Sequence, residues 1–418
     1  MACKGSGVQI PSAPLLIMKK FLNETKELLL SQGLVAILAI IQVRVVATNL
    51  GPEIYGNIGV YLGFVGISFR LLSSRNSDLV LMNFNETNKN FVKSALKFEI
   101  LLGSFSLFFV MSIFYLYYQL IPTYLWLYFL SRILLNILEV FKGVYTHLGN
   151  MKMYSLIESS SNTLRFILVV SFILNQPTIE SFFYALGIHQ LIVSLTVLIV
   201  LIKNNISTGE QISFIEYVKL CKNNFYKIRT DQAVGLIPTH LDVVIIGYFA
   251  NYYSAGLYRI AKKLVDPINS IIVAFSPWIL NKINNEKKYN FKNLTTNILI
   301  PTSVVIISSY YFFGKKLIEI IAGNRFENSY IPMLILLIGY ISYYLTFWTR
   351  HFLLLNNLIL KHTTGRIVNL FIFLITSPFL ISNYGYNGIA LAISLSIVIQ
   401  KSYELFVYFT NKNIENNI

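Results

Sequence analysis

The chain has 418 residues, of which 55% are apolar and only 13% charged, about half of the roughly 25% charge usual in soluble domains. A water-soluble fold of this length needs two or three domains with polar surfaces, and so few charges exclude it. The net charge of +15, from 34 Lys and Arg against 19 Asp and Glu, does not point to nucleic acid, because most of the basic residues sit between apolar runs, where they orient a membrane protein.

The first 17 residues, MACKGSGVQIPSAPLLI, carry two glycines and two prolines but no long apolar run. They lack the layout of a cleaved signal peptide and read as a disordered extension or a start-site artefact, with Met18 opening the folded chain. Apolar runs then predict twelve spans, near 28–49, 54–81, 98–120, 123–147, 153–175, 179–202, 229–250, 254–281, 294–313, 330–355, 364–382 and 386–409. The expected fold is therefore all-α and polytopic, with two six-helix lobes (residues 18–203 and 229–412) around a central cavity. A linker at 204–228 joins the lobes, and a tail at 413–418 follows the second.

Alternate loops are rich in lysine, as in Lys89/Lys93/Lys97 and Lys282/Lys287/Lys288/Lys292, whereas the opposite loops are nearly free of base. This places both termini and the linker on the cytoplasmic side. The exception is 314–329, where KKLIEIIAGNRF reads as a short amphipathic helix lying at the outer interface. Tyrosines and Trp126 gather at the predicted outer edges as an interfacial belt. The turn after the first span has a weak counterpart after the seventh, with Gly56 and Gly256 in matching places, an internal repeat of about 200 residues. Six spans per half is an even number, so the two copies keep one orientation and are related by an axis along the membrane normal.

An ionised side chain at bilayer depth costs about 2.5–3.5 kcal/mol on insertion scales. Several spans nevertheless carry such residues in stripes. In the eighth span Arg259, Lys262, Lys263 and Asp266 fall at i, i+3, i+4 and i+7, on one helical face. The fourth span carries Arg132 and Glu139 and the fifth carries Glu158 and Arg165. Counting along these antiparallel neighbours puts Arg132 and Arg165 at one depth, roughly 12–14 Å from the outer edge. Two like charges at one level repel unless an anion lies between them.

With Arg44 and Arg70 of the first two spans, the basic groups outnumber the acids Glu139, Glu158, Asp242 and Asp266 by seven to four. That surplus predicts an anionic ligand, and the planar guanidinium fork suits a diphosphate. The competing reading is structural pairing, Asp242 with Arg259 and Glu139 with Arg132. Asp242 and Asp266 either carry coupling H+ or Na+ or hold the cations in place.

Gly56, Gly59, Gly63 and Gly66 recur at helical spacing in the second span and predict close helix packing. The histidines have no metal-ligand spacing, two cysteines exclude a disulfide framework, and no phosphate-cradling loop followed by Lys-Ser/Thr occurs. Neither a metal, a cofactor nor an ATPase of the chain's own is expected.

Three segments carry a family resemblance: LGPEIYGNIGVYLGFVG at 50–66, HLDVVIIGYFANYYSAGLYRIAKKL at 240–264 and FFGKKLIEIIAGNRFENSYIPMLILLIGY at 312–340. They resemble the polysaccharide-export branch of the multidrug/oligosaccharidyl-lipid/polysaccharide exporter superfamily, with a likeness running from Met18 onward. The resemblance implies two lobes working by alternating access in a bacterial inner membrane. The implied activity is that of an O-antigen repeat-unit flippase, which moves undecaprenyl-diphosphate-linked oligosaccharide from the cytoplasmic to the periplasmic leaflet. It is not an enzyme, and its partners are lipid and possible polysaccharide-assembly proteins. Two rivals are a drug/cation antiporter of the same superfamily, which wants an acidic cavity, and a membrane-embedded polysaccharide polymerase, which wants a large outer catalytic loop.

Overall fold

A computed structural model describes residues 14–72, 89–90, 92–118, 121–147, 151–203, 210–285, 294–356 and 358–411. The predicted 413–418 tail and residues 1–13 lie outside these, and the first helix begins at Pro14, within the predicted 1–17 extension. The helices are α1 (Pro14–Leu72), α2 (Val92–Tyr118), α3 (Thr123–Leu135), α4 (Ile137–His147), α5 (Met151–Asn175), α6 (Ile179–Lys203) and α7 (Phe214–Phe249). They continue with α8 (Tyr252–Asn285), α9 (Ile300–Ala322), α10 (Tyr330–Thr346), α11 (Trp348–Leu355), α12 (Ile359–Tyr384) and α13 (Tyr386–Asn411).

Each predicted span overlaps a stretch of helix, with residues 73–81 of the second and 119–120 of the third lying outside the described residues. The fourth is divided at Asn136 into α3 and α4, and the tenth at Phe347 into α10 and α11. Among the described residues nine helices are long and apolar enough to cross a bilayer. That count covers the described residues only; the first two spans form one run through α1, and the described part of the seventh includes an apolar piece at 237–249.

Gly51 divides α1 into two arms. Its φ of 76° lies in the left-handed region that favours glycine, and Pro52 then restarts the helix. The second arm is the glycine-striped span, and its stripe is a helix-packing face. Gly56 meets Gly256 of α8 so closely that a Cβ on either would run into backbone, at Tyr252 for Gly56 and at Pro52 for Gly256. Further along, Gly63 lies against Val244 and the His240 carbonyl. Glycines that occupy equivalent places in the two halves of the sequence thus touch where the lobes cross. Phe326, fully buried, adds a perpendicular ring contact to Tyr55 at 6.0 Å on the same, predicted outer, end. We expect Gly256→Val to force this end apart, lowering disulfide cross-linking between cysteines placed at Thr48 and Gly323, where a Cβ on Gly323 would stand 3.7 Å from the Thr48 side chain.

The 314–329 segment departs from expectation. Residues 315–322 continue α9 instead of lying flat as a separate helix, because the apolar period is unbroken until Gly323 (φ 86°) terminates it; a 3-10 turn, Asn324–Ser329, follows. Lys316 and Glu319 satisfy each other on the exposed face at 2.8 Å. The linker also has structure. Glu210 and Gln211 pair in parallel with Lys89 and Asn90, the Ser94 hydroxyl donates to the Ile212 carbonyl at 2.7 Å, and Ser213 caps the start of α7. Residues 214–228 are therefore helical and docked on the first lobe through Phe98 and Tyr217.

Packing within each lobe rests on aromatic clusters, Tyr61, Phe114, Phe129, Tyr128 and Phe183 in the first and Trp348, Phe352 and Tyr408 in the second. Outward faces carry Phe108, Leu116, Phe312 and Ile375, all more than 70% exposed. In water that much bare hydrocarbon costs about 25 cal/mol per Å2, whereas in lipid it is the solvated state.

Candidate functional site

A cavity of about 330 Å3 lies between the first lobe and α8. Arg132 at the end of α3, Arg165 in α5, and Arg259 and Lys263 in α8 all line it, and no carboxylate is among its lining residues. The interruption at Asn136 ends α3 just beyond Arg132, and Arg132 and Arg165 line the same cavity. The Nε atoms of Arg132 and Arg165 are buried without a hydrogen-bond partner. An unpartnered guanidinium nitrogen away from bulk water is costly, so the arrangement favours an anion.

Arg259 is held from behind. Its Nη1 donates to the Tyr55 carbonyl at 2.8 Å, and its guanidinium stacks 4.2 Å from the centre of the Tyr55 ring. Gly59 makes room for this, since a Cβ there would stand 2.8 Å from Arg259 Cδ. The stripe that packs the helices thus also seats a cavity cation.

His189 and Gln190 of α6 complete the polar wall with Tyr128. With its Nε2–H assigned as donor to the Ser161 carbonyl at 3.0 Å, His189 keeps an Nδ1 lone pair without a partner. Gln190 is oriented by a 2.9 Å hydrogen bond from Ser131. Sequence reasoning leaves His189 as a core or polar-pairing position and does not single out Gln190; the signal in the chain is a polar pair in the middle of an otherwise apolar span.

The remaining sequence candidates are distributed differently. Lys262 turns away from the cavity and bonds buried Asp242 at 2.6 Å, which also accepts from the Tyr258 hydroxyl at 2.7 Å. Structural pairing by depth assigns Asp242 to Arg259; the structure gives it to Lys262, one turn further along. Glu139 and Glu158 both face Lys142, at 4.0 and 3.9 Å, so the anticipated Glu139–Arg132 bond is replaced as well. Lys263 reaches Asp266 at 2.7 Å. Arg44 donates to the carbonyl of Ile320 in the last turn of α9, where a cation also meets the negative end of the helix dipole. That places it on a helix end, and it does not line the cavity. The side chain of Arg70 lies outside the described residues.

Two further chambers occur among the described residues. One of about 310 Å3 lies within the second lobe, with Lys262, Arg366, Asn369 and Gln400 in its wall. The other, about 350 Å3, is an apolar groove between the first arm of α1, α8 and α9. Ala39, Val43 and Lys263 line both this groove and the cationic cavity, so the two are neighbours across a shared wall.

Sequence reading also misses a buried ionic knot. Lys401 and Glu404, at i and i+3 in α13, are wholly buried and 2.7 Å apart, and Glu404 also meets Thr349 of α11 and His362 of α12. Two ionisable residues inside the last apolar run are its signal in the chain. No cluster of three or more His, Cys, Asp or Glu that would hold a metal occurs among the described residues.

No family model matches the chain, and no curated protein matches it in sequence. Solved structures do match. The lipid II flippase MurJ in an inward closed conformation is 17% identical, with a TM-score of 0.74 over 91% of this chain and 87% of that one. An inward-facing multidrug resistance MATE family transporter of the MOP superfamily is 11% identical, with a TM-score of 0.69 over 91% and 96%. A MOP superfamily transporter from Pyrococcus furiosus, described as having a binding pocket of reverse polarity, is 12% identical, with a TM-score of 0.60 over 92% and 96%.

Proposed function

The chain has the fold of the MOP superfamily transporters, and we propose that it is a flippase for a lipid with a diphosphate headgroup. Its substrate in this reading is an undecaprenyl-diphosphate-linked oligosaccharide, an O-antigen or similar repeat unit. It moves from the cytoplasmic to the periplasmic leaflet of a bacterial inner membrane by alternating access. The observation that carries the reading is the cavity with no carboxylate among its described lining residues, where Arg132 and Arg165 each hold an unpartnered Nε, beside a mostly apolar groove that shares Ala39, Val43 and Lys263 with it. An anion with a long hydrocarbon tail is the chemistry that fits both parts. The diphosphate meets Arg132, Arg165 and Arg259 while the polyprenyl chain lies between α1, α8 and α9.

A likeness to the lipid II flippase and to the multidrug transporters alike leaves the cargo to the site. A drug/cation antiporter needs acids facing its cargo. In this chain lysines engage the acids of the charged spans, Lys262 holding Asp242, Lys263 holding Asp266, and Lys142 facing both Glu139 and Glu158. In this reading the acids hold cations in place. The test is deletion of the gene. Lipid-linked repeat units should accumulate on the inner leaflet while surface polysaccharide disappears, and unchanged surface polysaccharide would overturn the proposal.

A further inference from the structure

We infer that Asp266 is a specificity-determining residue that keeps ordinary phospholipid headgroups from entering the cationic cavity. The inference rests on the diphosphate reading above and adds a discrimination that the reading needs. Any apolar groove open to a bilayer is bathed in phospholipid, whose phosphates are also anions and are present in great excess. Attraction by arginine alone would fill the site with them, so rejection has to be built in.

The junction of groove and cavity is where that selection takes place. Lys263 lines both chambers, and Asp266, which lines the groove only, holds the lysine ammonium at 2.7 Å. The two charges cancel at the mouth. A phosphodiester, with one phosphate bearing one negative charge, meets no net attraction there, and it meets a carboxylate oxygen at close range. Beyond the mouth the charge is uncompensated, with Arg259, Arg132 and Arg165 and no acid. Arg259 and Lys263 lie four residues apart on one face of α8, so two linked phosphates bring a negative charge for each, where a phosphodiester brings one. A diphosphate therefore draws Lys263 off Asp266 with its first phosphate and secures Arg259 with its second. A single phosphate gains only the exchange of one carboxylate for another anion.

Native mass spectrometry of the full-length detergent-purified protein tests this with two probes, phosphatidylglycerol and an undecaprenyl-diphosphate-linked monosaccharide. Wild type should prefer the diphosphate lipid. Asp266→Asn should cut that preference about tenfold by strengthening phosphatidylglycerol binding more than diphosphate binding, and Asp266→Glu should keep the wild-type preference. An Asp266→Asn protein that binds the diphosphate lipid normally and still rejects phosphatidylglycerol overturns the filter and leaves the flippase reading standing. Loss of diphosphate binding in both Asp266 variants assigns the residue a structural role and likewise overturns the filter. A wild type without preference overturns both.

Discussion

Arg132→Ala and Arg165→Ala, combined, should abolish transport at wild-type protein levels, with lipid-linked repeat units retained on the inner leaflet. Each arginine presents a buried, unpartnered Nε at the same cavity. A hydrogen bond to a charged group is worth about 1.5–3 kcal/mol, so each single variant should lose roughly ten- to a hundredfold in affinity for the diphosphate lipid. Lysine at either position should restore less than arginine, because a point charge replaces a planar two-bond fork. The measurement is binding of the diphosphate lipid alongside complementation of a deletion strain. Full complementation by both variants, singly and together, would remove these residues from the site.

The second large effect is on stability. Glu404 is buried with Lys401 at 2.7 Å and is also engaged by Thr349 and His362, so it ties α11, α12 and α13 together. Glu404→Ala leaves the Lys401 ammonium without its carboxylate in a lipid-surrounded lobe, a cost of about 3–5 kcal/mol for breaking a buried pair from one side. Thermal unfolding of the purified protein should shift down sharply. The double replacement Lys401→Met with Glu404→Leu removes both charges and should recover much of the loss, since apolar substitutes of similar volume are often tolerated. An unchanged melting temperature in Glu404→Ala would show that Lys401 finds another partner.

The two effects draw on different uses of charge at bilayer depth, and the sequence exposes one better than the other. Arg132 and Arg165 stand out because arginine in an apolar run is expensive and helical rise alone sets their depth. The partnerships of Asp242, Glu139 and Glu158 are not legible in the same way. Each runs between helices, or to a lysine at the edge of a span, and depth constrains only one coordinate. Asp242 stands at a depth where Arg259 and Lys262 both compete, and the rotation of α8 against α7 decides for Lys262. Lys142, near the cytoplasmic end of the predicted fourth span, faces both glutamates, at 4.0 and 3.9 Å. Arg44 groups with the cavity by span and charge, but it faces the carbonyl end of α9.

What the sequence determined by itself is the solvent and the scaffold. Apolar runs of bilayer length, separated by basic loops, specify helices in lipid, because each span must satisfy its own backbone hydrogen bonds and hide its charges from hydrocarbon. The glycine stripe of the second span likewise declared a packing face. Tertiary structure decided which chamber each charge enters, that the groove between α1, α8 and α9 shares a wall with the cationic cavity, and that Gly56 meets Gly256 at the crossing of the lobes. These depend on the rotation of one helix about its axis relative to another, which side-chain packing across the chain fixes and no local period encodes.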